Sequence, residues 1–141
     1  MYLFTYGLLT HPSYMVGFTG KRAHIENAKF DIHHFANVTT GTDNVYGVLW
    51  EVNENKIELL DMTEGAPDFY KRITVPVVCN GSIVEAFMYA MTDDTVAKHL
   101  NESPTSQYLR ILEFGYMHFN LERGQFLNLP SLYESTINQP H

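Results

Sequence analysis

The stretch from Tyr70 to Met91 constrains the fold more than any other part of the chain. Two runs rich in β-branched and aromatic residues, Tyr70 to Cys79 and Ile83 to Met91, flank the dipeptide Asn80-Gly81. Asn-Gly is the favoured pair for a two-residue turn whose central residues both need positive φ, so this stretch predicts a tight antiparallel hairpin. Pro76 has no N–H to give to a ladder, which sets its strand near a sheet edge or a bulge. Further strands are expected at Tyr2 to Tyr6, which stops at Gly7, and at Val45 to Val52, which follows the turn-forming cluster Thr39 to Asn44. Lys29 to Val38 reads as a weaker strand with His33 and His34 on opposite faces, and Lys21 to Asn27 as a short helical turn or irregular segment.

Helical signals alternate with these strands. Asn53 can cap a helix over Glu54 to Thr63, with Ile57, Leu60, Asp61 and Glu64 at helical spacing; Gly65 is a natural C-cap, so that helix ends at Glu64. Thr92 to Leu100 places Asp93 and Asp94 at a positive helix end, and Ser106 to His118 carries the stripe Leu109, Leu112, Tyr116, Phe119. Both are expected to cover the sheet. Leu127 to Ile137 holds Pro130 and a short helix beyond it. No repeat, low-complexity tract or linker interrupts the pattern, so residues 1–141 read as one α+β (mixed α/β) domain.

Composition bounds the function. Of 141 residues 45% are hydrophobic and 18% charged, enough apolar surface for one core without disulfides or metal. A net charge of -7, with nine Lys and Arg and no basic run, excludes a nucleic-acid groove. The single cysteine, Cys79, lies in an apolar run and reads as a core residue in a reducing compartment. Met1 to Phe18 lacks a basic leader, and no run approaches the about 20 apolar residues that span a bilayer, so no membrane partner is expected and the cytoplasm is the expected location. Seven histidines show neither HxxxH nor HxH spacing, and the serine-hydrolase and nucleotide-loop motifs are missing, so neither a metal nor a cofactor is expected.

Two features could carry chemistry. Glu64, on the last turn of a helix, faces the negative end of the macrodipole, and with partial burial its pKa would rise toward the range of a general base. Position alone favours an exposed glutamate at a helix end. The Tyr6-Gly7 step can present successive backbone amides to a carboxylate or oxyanion, or be a plain turn.

Four segments together resemble the γ-glutamylcyclotransferase family, which AIG2-like proteins and γ-glutamylamine cyclotransferases also resemble. They are Phe4-Thr5-Tyr6-Gly7-Leu8-Leu9, the strand Val45 to Val52, Leu60-Asp61-Met62-Thr63-Glu64-Gly65 with Tyr70 after it, and Pro104 to Tyr108 followed by Gly115 and by Leu129 to Tyr133. The resemblance implies a small barrel-like mixed β-sheet flanked by helices, with a cavity between the Tyr6-Gly7 loop and Glu64. It implies Glu64 as acid and base, the backbone of Gly7, Leu8 and Leu9 holding a γ-glutamyl group, and Tyr6, Tyr70, Tyr89 and Tyr108 lining the pocket. The implied reaction is cyclisation of a γ-glutamyl amine or amino acid to 5-oxoproline without a cofactor, by a monomer or homodimer. Leu8 departs from the pattern, because the family carries a small polar residue after Tyr-Gly. That departure raises the alternative of a ligand-binding or regulatory protein that keeps the cavity without turnover, and leaves γ-glutamyl-lysine as a further candidate substrate.

Overall fold

A computed structural model describes residues 1–129 of the chain. In chain order it contains β1 (Tyr2–Thr5), two 3-10 turns (Leu8–Thr10 and Pro12–Tyr14), β2 (Gly20–His33), β3 (Phe35–Thr40), β4 (Asp43–Glu51), α1 (Glu54–Glu64), β5 (Tyr70–Cys79), β6 (Ser82–Met91), α2 (Asp93–His99), α3 (Ser106–His118) and α4 (Gly124–Leu127). The strands lie in the order β3-β2-β4-β1-β6-β5, and β5 pairs back onto β2 at His24 and Val78, which closes five of the six into a barrel. All pairings are antiparallel except β1 with β6, so the sheet is mixed. The α+β barrel flanked by helices is the architecture that the sequence implied.

The Asn80-Gly81 hairpin forms as its residues require: β5 and β6 pair without a slip from Tyr70–Met91 to Cys79–Ser82, and Asn80 and Gly81 have φ of 51° and 78°. β5 is not a free edge: it pairs with β6 along its whole length, Pro76 opposite Glu85, and meets β2 on its other side at His24 and Val78, so Pro76 is accommodated by that sparse second pairing. Leu3, Phe4, Val48, Trp50 and Val77 are buried with 2% exposure or less; Leu3 and Phe4 are neighbours in β1 and point to opposite faces, so the core lies on both sides of the barrel wall. The Trp50 indole N–H donates to Thr5 Oγ1 at 2.9 Å, which satisfies the one polar atom of the largest core residue.

Two local expectations are overturned. Lys21 to Asn27 is neither a helical turn nor irregular; it belongs to the 14-residue strand β2, whose register shifts between Ile25 and Ala28, where Asn27 has φ 53°. Lys29 to Val38 is not one strand. The chain reverses at His34 (φ 67°), so His33 pairs with Phe35 and the histidines do not alternate along a single strand. Tertiary contacts hold this reversal without glycine: His34 N–H donates to Glu102 O at 3.0 Å, and its Nδ1 lies 3.0 Å from Ser103 O. Ala28 then faces both Thr40 and Asp43, so β3 and β4 act as one long partner of β2.

The helices fall where caps and stripes put them. Asn53 Oδ1 accepts from Lys56 N–H at 2.9 Å, Thr92 and Thr105 cap α2 and α3, and α3 buries Tyr108, Leu112, Gly115 and Tyr116. Cys79 is buried in the core. No described helix is long and apolar enough to cross a membrane. The short helix expected beyond Pro130, and most of the Leu129 to Tyr133 motif, lie outside the described residues.

Candidate active site

A cavity of about 350 Å³ opens at the end of the barrel where β1 runs out, within the size range of small-molecule sites. Every residue singled out from the sequence lines it: Tyr6, Gly7, Leu8, Leu9, Glu64, Tyr70, Tyr89 and Tyr108. They come from separate elements, which the barrel brings to one end. Tyr6 to Leu9 follow β1, Glu64 ends α1, Tyr70 opens β5, Tyr89 lies on β6 and Tyr108 begins α3.

The loop after β1 is braced from several sides. Thr10 Oγ1 and Thr10 N–H both donate to Gly7 O, at 2.7 and 3.0 Å, Thr5 Oγ1 donates to Leu9 O at 3.2 Å, and the Tyr116 hydroxyl donates to Tyr6 O at 2.6 Å. The loop's carbonyls are thus occupied, whereas the amides of Gly7, Leu8 and Leu9 donate to no described acceptor. Gly7 and Leu9 are buried. Three consecutive amides without an acceptor are an unmet donor set, and backbone arranged this way receives an anion or a developing oxyanion.

Glu64 is set by its cap. Gly65 adopts the left-handed conformation (φ 64°, ψ 35°) and, with Ala66, closes the last turn of α1 by hydrogen bonds to Met62 O and Asp61 O. Glu64 is half-buried at the cavity wall and makes no hydrogen bond or ion pair with a described residue. Burial pushes its carboxyl up to about 7. Desolvation of the carboxylate is the cause. The four tyrosines are pushed far above their ordinary value, first by burial, and the Glu64 carboxylate adds to the shift in each. They stay neutral at any physiological pH, which leaves Glu64 as the one described lining residue that titrates near neutrality.

Three tyrosine protons are already committed. Tyr6 donates to Tyr89 O, Tyr70 to Ala36 O at 2.8 Å, and Tyr89 to Asp61 Oδ1 at 2.6 Å. The Tyr108 hydroxyl instead accepts from Ala36 N–H at 2.8 Å and keeps its own proton. It lies 3.1 Å from where a Cβ on Gly7 would be, beside the unmet amides.

Sequence reasoning did not find the rest of the lining. Phe35, Ala36 and Phe69 enter only because the chain reverses at His34 and because the loop after α1 folds back, and neither event has a local signal. Asp61 is a second omission. It accepts from Tyr89 and pairs with Arg72 Nε at 3.4 Å, which ties the helix that carries Glu64 to two strands. Its spacing of three from Glu64 was visible, but its partners were not.

Residues 3–110 match the family model described as gamma-glutamyl cyclotransferase, AIG2-like. The chain is 26% identical over 103 residues to a provisionally named gamma-glutamylcyclotransferase of Methanocaldococcus jannaschii, covering 62% of this chain and 82% of that one. Among solved structures it shares its fold with a gamma-glutamyl cyclotransferase (TM-score 0.71, 20% identity, 100% of this chain and 89% of that one). It also shares it with a gamma-glutamyl cyclotransferase specific to glutathione from yeast (TM-score 0.68, 13% identity, 100% and 99%). With more than half of its length matched by the family model and the barrel, cavity and loop in place, the chain belongs to the gamma-glutamyl cyclotransferase, AIG2-like family.

Proposed function

We propose that this protein cyclises a γ-glutamyl amine or amino acid, releasing 5-oxoproline, with Glu64 as the proton carrier. One observation carries the reading: a half-buried, unpaired carboxyl with a pKa near 7 shares a cavity with three acceptor-free amides. The amides of Gly7, Leu8 and Leu9 hold the α-carboxylate and the γ-carbonyl oxygen, which folds the substrate so that its α-nitrogen reaches its own γ-carbon. Glu64 takes a proton from the α-ammonium. The freed amine attacks the γ-carbonyl, a C–N bond forms, and negative charge moves onto the oxygen facing the amides. Glu64 then passes its proton to the leaving nitrogen, the amide C–N bond breaks, and the ring nitrogen keeps a single hydrogen. Two protons thus leave the α-nitrogen and two reach the departing amine. Glu64 carries the one needed before bond cleavage, and solvent exchanges the other.

The test is 5-oxoproline release from a panel of γ-glutamyl substrates by wild type and Glu64→Gln. Turnover that falls by about 10²–10⁴-fold in the variant, with its fold unchanged by circular dichroism, supports the role. A variant with near-native turnover overturns it. Leu8, an apolar residue in the loop that would hold substrate, favours a second reading, a binding protein without turnover. Thermal stabilisation by γ-glutamyl ligands with no 5-oxoproline from any of them selects it.

A further inference from the structure

The last turn of α1 is held to the barrel at one point. The helix buries only Ile57 and Leu60, and both precede that turn. Within the turn Met62 is 80% exposed, Thr63 Oγ1 donates back to Leu59 O in its own helix, and Glu64 bonds to no described residue. The other side-chain tie of the helix, Lys56 Nζ to Tyr14 O at 2.7 Å, lies near its opposite end. Among the described residues, Asp61 is thus the one side chain of the last turn that bonds outside the helix.

Its two partners stand opposite each other on the hairpin. Arg72 of β5 pairs with Tyr89 of β6, so both side chains leave the same face of the sheet, and both meet Asp61 Oδ1. The two bonds differ in weight. Arg72 Nε stands 3.4 Å away on a side chain about half exposed, where solvent screens the pair. Tyr89 is buried, and its O–H donates at 2.6 Å to a charged acceptor, the stronger kind of hydrogen bond. Tyr89 also meets the other half of the site. Its carbonyl accepts from the Tyr6 hydroxyl, and Tyr6 leads directly into Gly7, the first of the acceptor-free amides. Glu64 follows Asp61 by three residues, a spacing that makes them neighbours on the surface of α1. One residue of β6 therefore joins the amide loop, through its backbone, to the end of α1, through its hydroxyl.

We propose that Tyr89 and Asp61 are positioning residues: their hydrogen bond locks the end of α1 onto β6 and so fixes where the Glu64 carboxyl stands relative to the amides of Gly7, Leu8 and Leu9. This role rests on the cyclisation proposed above, in which one carboxyl serves both the attacking and the departing nitrogen, so that a small displacement lowers the rate. Tyr89, although it lines the cavity, then acts through Asp61, because its proton is already donated there.

The test assays Tyr89→Phe, Asp61→Ala, their double variant and Asp61→Asn for 5-oxoproline release. Tyr89→Phe and Asp61→Ala should each lower kcat by about 10–100-fold with KM little changed, because Thr10 and Tyr116 hold the amide loop independently. The double variant should be no slower than the poorer single, since the two residues act through one bond. Asp61→Asn keeps an acceptor for the Tyr89 hydroxyl and loses only the screened charge, so it should stay within about fivefold of wild type. Losses that fall on KM, losses that multiply in the double variant, or a wild-type kcat in Tyr89→Phe overturn the proposal. Tyr89→Phe removes one oxygen and keeps the ring, so it decides the matter if Asp61→Ala does not fold.

A readout that needs no turnover separates this role from the reaction itself. Tyr89→Phe changes no charge, and the other groups that face Glu64 are the neutral Tyr6, Tyr70 and Tyr108, with Asp61 and Arg72 paired one turn away. Carbon-13 NMR titration of the Glu64 carboxyl therefore reports its position. Released from the wall it regains water, and its midpoint should fall from about 7 toward 4.5 in Tyr89→Phe. A midpoint that stays near 7 overturns the positioning role. If the wild type releases no 5-oxoproline, the cyclisation fails and this titration alone decides whether the bond places Glu64.

Discussion

Glu64 sets its proposed role against stability. Its folded pKa of about 7 lies above the ordinary 4.5, so the fold binds the protonated form more tightly than the unfolded chain does. The Glu64 contribution is therefore most favourable below pH 4.5 and is lost as pH rises from 4.5 through 7, by up to about 3 kcal/mol. Glu64→Gln, which cannot ionise, should match wild type in urea unfolding at pH 4 and exceed it at pH 8. In the proposed cyclisation Glu64 is the base and is ionised in the free enzyme, so kcat/KM should rise with pH along an acid limb centred near 7. A limb centred near 4.5 would show that burial does not tune this group. At the same scale, the sequence placed Glu64 at its helix end through Asn53 and Gly65, both of which act locally, but could not say whether it was exposed. It shares its cavity wall with Phe69 and Tyr70, an arrangement made by the tertiary fold.

At the scale of elements, the site depends on how closely α3 approaches the loop after β1. A Cβ on Gly115 would lie 2.3 Å from Thr10 Oγ1 and 2.9 Å from His11 N, closer than any side chain can be accommodated without movement of that backbone. Thr10 is also the residue that holds Gly7 O, through both its hydroxyl and its amide. Gly115→Ala should therefore lower stability by about 1–3 kcal/mol in urea unfolding and raise KM more than it lowers kcat, because the amide cradle moves while Glu64 does not. The α3 stripe was legible from its spacing, and the family resemblance pointed to Gly115. What Gly115 makes room for was not. The β2–β3 reversal was missed for a related reason: His34 takes positive φ through bonds to Glu102 and Ser103, about seventy residues away in sequence, so no local turn residue marks it.

The whole molecule is a barrel with two thin seams, the β2–β5 contact and the parallel β1–β6 contact at Leu3 and Phe87. β5 pairs with β6 along ten positions but with β2 only at His24 and Val78, in a strand that also contains Pro76. Local opening starts where few hydrogen bonds hold, so native-state hydrogen exchange should release amides along the β2–β5 contact before those of the β1–β4 ladder from Tyr2–Glu51 to Thr5–Val48. Slower exchange at the β2–β5 seam than in that ladder would contradict this. The sequence alone determined the parts that rest on local chemistry: a hairpin at Asn80-Gly81, the caps at Asn53 and Gly65, the helical stripe of α3 and, by resemblance, the residues that gather at one end. Only the tertiary structure decided what those residues do together, because acceptor-free amides and a desolvated carboxyl are properties of an enclosed space. Such a space exists only once strands distant in sequence have closed around it.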